Sequence, residues 1–272
     1  MTSISLGQYY PGHSLLHRLD PRFKIVLAML YIAASFICRN LWSFAALSAS
    51  AVLLVAISRI PPKIVLRGLR PILFIMLFTV VLNIFFTRGD TLLVEWWIIR
   101  IYLEGILTAV SMVLRITVII IGSTMFLTYT TTPIALTDGI ERLLAPLKAM
   151  HLPVHEFAMM MSIALRFIPT LIEETEKIMA AQKARGADFT SGSLLQRARA
   201  LIPILVPLFV SAFRRADELA VAMECRCYRG GEGRTRLNVI HASAADWLML
   251  AVMFAFGAAL VLINRFAPGF SL

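Results

Sequence analysis

The segment LWSFAALSASAVLLVAI, residues 41–57, has no charged side chain, and its length reaches the lower limit of roughly 17 residues for crossing a bilayer as a helix. It is one of five apolar runs, the shorter of which come near that length once flanking residues are included. Ile25 to Ile37 precedes it, Ile72 to Phe86 and Ile101 to Tyr129 follow, and Trp247 to Ile263 is the last, with a tryptophan at one border and Arg265 at the other. The first three runs lack an internal charge. The fourth carries Glu104 near its start and Arg115 inside, and its length allows tilt or a partly interfacial start. Of 272 residues, 59% are hydrophobic and 15% charged, with a mean hydropathy of +0.79, which is too apolar for a soluble domain of this size. The reading is an all-α, polytopic membrane protein with about five transmembrane helices. Residues 1–130 form a membrane region with about four of them, 131–241 a cytoplasmic or interfacial region of about three helices, and 242–272 the last span. The first ten residues contain no basic stretch followed by a long apolar core, so insertion is expected to use the spans themselves.

The formal net charge of +10 has an ordinary source in such a chain. Its basic residues sit beside apolar runs without a nucleic-acid-binding pattern, which excludes nucleic acid as a partner. Arg18, Arg22 and Lys24, then Arg59, Lys63, Arg67 and Arg70, then the fourteen from Arg142 to Arg236 place 21 of the 26 basic residues on one face. The other face receives Arg39, Arg88, Arg100 and Arg265. This asymmetry predicts a cytoplasmic N-terminus and an extracytoplasmic C-terminus.

Residues 131–241 are helical in pattern but heavily charged. Helices are expected from about Pro133 to Met150, behind a threonine cap with proline in the first turn, from Val154 to Lys183, and from Leu194 to Cys227. Gly186 and the Gly230-Gly231 pair read as the stops of the last two. Pro169, Pro203 and Pro207 are expected to kink or divide them. Both long helices begin apolar, Phe157 to Ile168 and Leu201 to Phe213, and then turn charged, as helices do that start near a bilayer and end in the cytosol.

Several chemistries are missing. No Gly-x4-Gly-Lys-Ser/Thr loop occurs, and Gly230-Gly231-Glu232-Gly233 lacks the lysine and preceding strand that phosphate binding needs, so the chain itself is not expected to hydrolyse ATP. His151 and His155 have the spacing of a helical metal pair, but Pro153 lies between them and no third ligand is evident. Three cysteines give no disulfide framework, and Cys225 and Cys227 would point roughly 200° apart on a helix. Arg115 is the one ionisable group deep in a span, and pairing with a backbone carbonyl or snorkelling accounts for it. No catalytic serine-histidine-aspartate or paired-carboxylate arrangement lies near a span. No cofactor and no metal are expected.

What remains is a repeated arginine. Ala184-Arg185-Gly186 and Cys225-Arg226-Cys227 each end a polar helical pattern, and laying Arg185 on Arg226 puts Ala181 on Ala222, Glu176 on Asp217, Ile178 on Leu219 and Ile168 on Phe209. An arginine between small neighbours at a helix end can reach several directed hydrogen bonds in a groove lined by carboxylates or carbonyls. A single one is explained by the helix dipole, worth only about 0.3–1 kcal/mol. Two in matching contexts suit a dimeric partner with two equivalent grooves.

With these motifs the chain resembles the transmembrane T component of energy-coupling factor (ECF) transporters, a branch of the ABC importers. The resemblance covers nearly the whole length. Gly7 to Ser14 followed by His17-Arg18-Leu19-Asp20-Pro21-Arg22-Phe23-Lys24 is similar to the family's opening signature, and Leu165-Arg166-Phe167-Ile168-Pro169 with Ala181 to Gly186 to its central one. The resemblance implies a non-catalytic coupling subunit for uptake of a vitamin or other micronutrient. It implies that Ala184, Arg185, Gly186, Cys225, Arg226 and Cys227 dock on two cytosolic ATPase subunits, which hydrolyse the ATP. It also implies a membrane-embedded, substrate-binding S component as a further partner. Cysteines flanking Arg226 depart from the commoner alanine and glycine but are still small. The apolar starts of the two long helices, with Phe157, Met160, Met161, Phe209 and Phe213, are the expected S-component contact. Met159 to Met161 read either as an adaptable binding surface or as lipid-facing and core filling. Asp20-Pro21-Arg22 reads plainly as an N-cap, a helix start and a basic anchor. The reading from another class is a stand-alone permease or channel that conducts its own solute.

Overall fold

The computed structural model describes residues 9–89, 91–96, 99–150, 153–189, 191, 193–230 and 242–266. Gly7, Gln8, His151, Gly231, Glu232, Gly233 and Arg236 lie outside the described residues. The chain divides into two compact units, one of Met1–Arg142 with Val239–Leu272 and one of Leu143–Asn238.

In the first unit a short α1 (Leu15–Arg18) leads to α2 (Pro21–Ile37) and α3 (Leu41–Ser58). Asp20 caps α2 by accepting from the Arg22 N–H at 2.9 Å, with Pro21 in the first turn. Arg59 ends α3 in the left-handed conformation, φ 56°. Then α4 (Pro62–Leu69) runs through a single 3₁₀ turn at Arg70–Ile72 into α5 (Leu73–Phe86). The turn contains Pro71, and it joins a basic amphipathic stretch to the expected apolar run. A small antiparallel hairpin of β1 (Leu92–Trp96) and β2 (Ile99–Tyr102) interrupts the helices. Such short strands beside a long apolar run carry no separate signal in the sequence. α6 (Leu103–Ser123) follows and loosens into a π-helical turn at Thr124–Thr128. α7 (Pro133–Leu143) starts behind Thr132, whose hydroxyl accepts from the Ala135 N–H at 3.3 Å. It stops at Leu143 rather than at the expected Met150, because Pro146 has no N–H to continue the ladder, and 145–150 form a tighter 3₁₀ turn.

The last helix of this unit, α10 (Ala244–Phe266), runs parallel to α2. At one end the Asp20 N–H donates to Asp246 Oδ1 at 2.8 Å, and at the other Asn264 Nδ2 donates to the Ile37 carbonyl at 2.6 Å. The core between these helices comes from one stripe of each. Leu27, Ala28, Tyr31 and Ala34 of α2 meet Phe44, Leu47 and Ala51 of α3, Val118 of α6, and Met253 and Leu260 of α10. The i, i+1, i+4, i+7 spacing of these α2 residues is one helical face turned inward. Gly122 is required where α6 meets it, since a β-carbon there would lie 2.2 Å from the Tyr31 ring. Arg115 donates from Nη2 to the Cys38 carbonyl at 3.1 Å, with its guanidinium 5.3 Å from the Phe44 ring centre. Glu104 bonds Thr91 instead, Oε1 to the hydroxyl at 2.8 Å.

The second unit is mostly two long helices, α8 (Val154–Ala184) and α9 (Leu194–Cys225). Pro169 does not divide α8, and Pro203 and Pro207 do not divide α9. Six described helical segments are long and apolar enough to cross a membrane by length and composition. They are α3, α4 with α5, α6 with its π turn, α8, α9 and α10, while α2, with 17 residues, falls just short of that length. The molecule is an all-α polytopic membrane protein in which the hairpin is a minor addition.

Candidate functional site

Two side-chain contacts set α8 against α9. Arg215 Nη2 bonds Glu174 Oε2 at 3.2 Å and Gln182 Nε2 donates to the Pro203 carbonyl at 3.4 Å, while Gly230, past the end of α9, lies near Glu156 of α8. As the α8 number rises the α9 number falls by a similar amount, so the helices are antiparallel along their length. The Gln182 contact has a local cause: Pro207 has no N–H for the carbonyl one turn back, which leaves the Pro203 oxygen open to another donor. The antiparallel pairing sends the charged ends of the two helices in opposite directions along the pair.

The ends of the two helices match atom for atom. The Gly186 N–H donates to the Lys183 carbonyl at 3.0 Å and the Ala187 N–H to Gln182 at 3.0 Å. Forty-one residues on, Cys227 donates to Glu224 at 2.8 Å and Tyr228 to Met223 at 3.1 Å. Both are Schellman caps, in which a left-handed residue closes the last turn. Arg185 has φ −87° and ψ 7°, and Arg226 has φ −91° and ψ 11°. Gly186 takes φ 85° freely, whereas Cys227 takes φ 56° at a cost of about 1–2 kcal/mol for a residue with a β-carbon. The stop of α9 is therefore Cys227, two residues past the helix at Cys225, and not the expected Gly230-Gly231 pair.

Glu174 and Arg215 are also 41 residues apart, so equivalent positions of the two helices touch each other. A local twofold relation follows, with its axis near this pair. Arg185 and Arg226 lie eleven residues beyond it in opposite directions, which puts them roughly 33 Å apart along the pair. All six residues of the two motifs are exposed, and among the described residues neither arginine makes an ion pair. The arrangement offers two equally shaped cationic prongs that, among the described residues, have no internal ion-pair partner.

The apolar candidates separate into two groups. Phe157, Met160 and Met161 are 54%, 58% and 39% exposed and share one face near the start of α8. Phe209 and Phe213 are 59% and 69% exposed, one helical turn apart near the middle of the pair, about 25 Å from the first group. Sequence reasoning missed the Glu174–Arg215 contact, although opposite charges at equivalent repeat positions were a usable signal. It also missed Asp246, which accepts from the Asp20 and Ser243 N–H groups and acts on the charge of Lys24. One aspartate near the start of an apolar run gives no sign of that partner.

A family model described as CbiQ, cobalt transport protein, matches residues 12–237. The energy-coupling factor transporter transmembrane protein EcfT of Ruminiclostridium cellulolyticum is 53% identical over 253 residues, covering 93% of this chain and 94% of the relative. EcfT of Acidaminococcus fermentans is 50% identical over 255 residues, 94% of each chain. EcfT of Bacillus subtilis is 46% identical over 264 residues, 97% of this chain and 99% of the relative.

Proposed function

We propose that this chain, which belongs to the CbiQ/EcfT family of transmembrane transport proteins, is the coupling subunit of an ECF-type ABC importer. In this role it transmits the ATP-driven motion of two cytosolic ATPase subunits to a substrate-binding S component, for uptake of a vitamin or other micronutrient. The observation that carries the proposal is the pair of matching Schellman caps presenting Arg185 and Arg226 on either side of a local twofold relation. A dimer of nucleotide-binding subunits has two equivalent grooves, and a helix pair with a local twofold axis meets both in the same way. Ala184, Gly186, Cys225 and Cys227 leave the approach to each guanidinium clear, and ATP hydrolysis belongs to the partners. Phe157, Met160, Met161, Phe209 and Phe213 form the S-component contact, as two separate patches. The N-terminus is cytoplasmic and the C-terminus extracytoplasmic, a reading supported by the Lys/Arg asymmetry and by the parallel course of α2 and α10. On the division into residues 1–130, 131–241 and 242–272, the central segment is the coupling region.

Co-purification tests the role. The chain is expected to hold two ATPase subunits and an S component in detergent, and Arg185→Glu with Arg226→Glu to release the ATPases while leaving the protein inserted. Each reversal puts a carboxylate where a cation is accepted, at a cost of about 2–5 kcal/mol. Retention of both ATPases by the double variant would overturn the assignment of the arginines. Solute uptake by the chain alone in proteoliposomes would favour a stand-alone permease.

A further inference from the structure

Where α2 and α10 finish and α3 begins, the first unit opens a cleft of about 520 Å³ lined by Phe36, Ile37, Arg39, Asn40, Val261, Asn264 and Arg265. That is within the range of roughly 300–1,000 Å³ for small-molecule sites. It lies a helix length from Asp20 and has no part in the arginine motifs. Three backbone carbonyls around it are already satisfied by side chains. The Ile37 carbonyl accepts Asn264 Nδ2 at 2.6 Å, the Cys38 carbonyl accepts Arg115 Nη2 at 3.1 Å, and the Asn264 carbonyl accepts Asn40 Nδ2 at 3.3 Å. The Arg39 and Arg265 guanidiniums are thus not needed at these three carbonyls. Both are exposed, and among the described residues neither has a carboxylate within ion-pair distance.

Among the described residues the local charge balance is positive. The C-terminal ends of α2 and α10 each contribute about −0.5 of a charge and the N-terminal end of α3 about +0.5, against two full guanidinium charges. Planar guanidinium forks match phosphate oxygens in bidentate fashion, and Asn40 and Asn264 bring polar amides beside them. The rest of the rim is apolar, with Phe36 62% and Val261 48% exposed, and Trp42 nearby is 64% exposed. Aromatic residues beside cations at the end of an apolar run mark the headgroup level of a bilayer.

We propose that this cleft binds the phosphodiester headgroup of an anionic glycerophospholipid, with its acyl chains descending along Phe36 and Val261. An ethanolamine or choline headgroup would bring its own cation against two unneutralised guanidiniums. A free phosphate would leave the apolar rim unused.

Native mass spectrometry of the full-length chain in detergent tests this, with phosphatidylglycerol, phosphatidylethanolamine of the same acyl chains, and inorganic phosphate as three separate probes. Phosphatidylglycerol is expected to be retained preferentially at one molecule per chain. Affinity should fall roughly fivefold in Arg39→Gln and roughly thirtyfold in Arg39→Gln with Arg265→Gln, the order expected per basic residue at a membrane surface. Val261→Trp fills the cleft without altering charge and is expected to lower phosphatidylglycerol retention as well, which keeps the test valid if the double variant fails to fold. Equal retention of phosphatidylglycerol by the wild type and both kinds of variant would overturn the site. Equal retention of phosphatidylethanolamine would overturn the selectivity for an anionic headgroup, and inorganic phosphate bound as tightly as phosphatidylglycerol would replace the lipid by a free anion.

Discussion

Lys24 and Arg185 carry the same charge, yet Lys24 is 2% exposed, with its ammonium on the carbonyls of Thr130 at 2.8 Å and His17 at 3.3 Å, whereas Arg185 projects from a helix end into solvent. Around Lys24 the buried Asp20 and Asp246 complete a cluster that joins the start of α2 to the start of α10. Around Arg185 and Arg226 the described residues supply no ion-pair partner. A buried charge must be compensated inside the chain, so its removal is felt as instability. An exposed arginine contributes little to the fold, so its effect is felt only where another molecule meets it.

The comparison breaks if the two kinds of charge respond alike. The largest effect is expected from Arg185→Glu with Arg226→Glu, which should abolish ATPase-driven uptake and ATPase co-purification while the thermal midpoint of the isolated chain moves little. A fall in that midpoint comparable to a core mutation would show that these arginines also serve the fold. Asp246→Ala should do the reverse. The buried Asp20 N–H and the Ser243 N–H lose their acceptor and Lys24 loses a neighbouring carboxylate, a loss of about 3–5 kcal/mol. It should be read as reduced midpoint and yield, with ATPase binding per folded molecule unchanged.

Smaller changes sharpen the picture within the second unit. An aspartate at Met160 or at Phe209 should reduce S-component retention and leave both ATPases bound. Because the two patches are about 25 Å apart, each substitution should weaken only its own part of the contact. Loss of the ATPases instead would reassign these faces to the helix pair itself. Cys227→Gly should relieve the left-handed backbone and stabilise the α9 cap by about 1 kcal/mol, whereas Gly186→Ala should destabilise the α8 cap by a similar amount. Equal responses at the two sites in chemical denaturation would argue against matching caps. Last, Arg215→Ala should cost under about 1 kcal/mol, since both side chains of that pair are about a third exposed and solvent screens them.

Much of the fold was legible because membrane burial writes itself into composition. The apolar runs became helices within a few residues of their expected bounds, and Asp20-Pro21 became the cap and first turn of α2. The arginine motifs were legible because their spacing repeats. The uninterrupted course past Pro169, Pro203 and Pro207 was not, since it depends on whether neighbouring groups can satisfy a freed backbone atom. Pro203 illustrates this: the carbonyl left open by Pro207 is met by Gln182 from the other helix.

By itself the sequence determined that the chain is helical and membrane-embedded, where its charges concentrate, and that Arg185 and Arg226 share a context, because hydropathy, charge and repeat spacing are properties of the linear order. Only the tertiary structure decided that α8 and α9 run antiparallel, that Glu174 meets Arg215, and that α2 and α10 are tied at both ends by Asp246 and Asn264. Those facts join residues up to 227 positions apart. Such contacts are selected by packing and by the cost of leaving a buried polar group unpaired, and neither is carried by any local stretch of sequence.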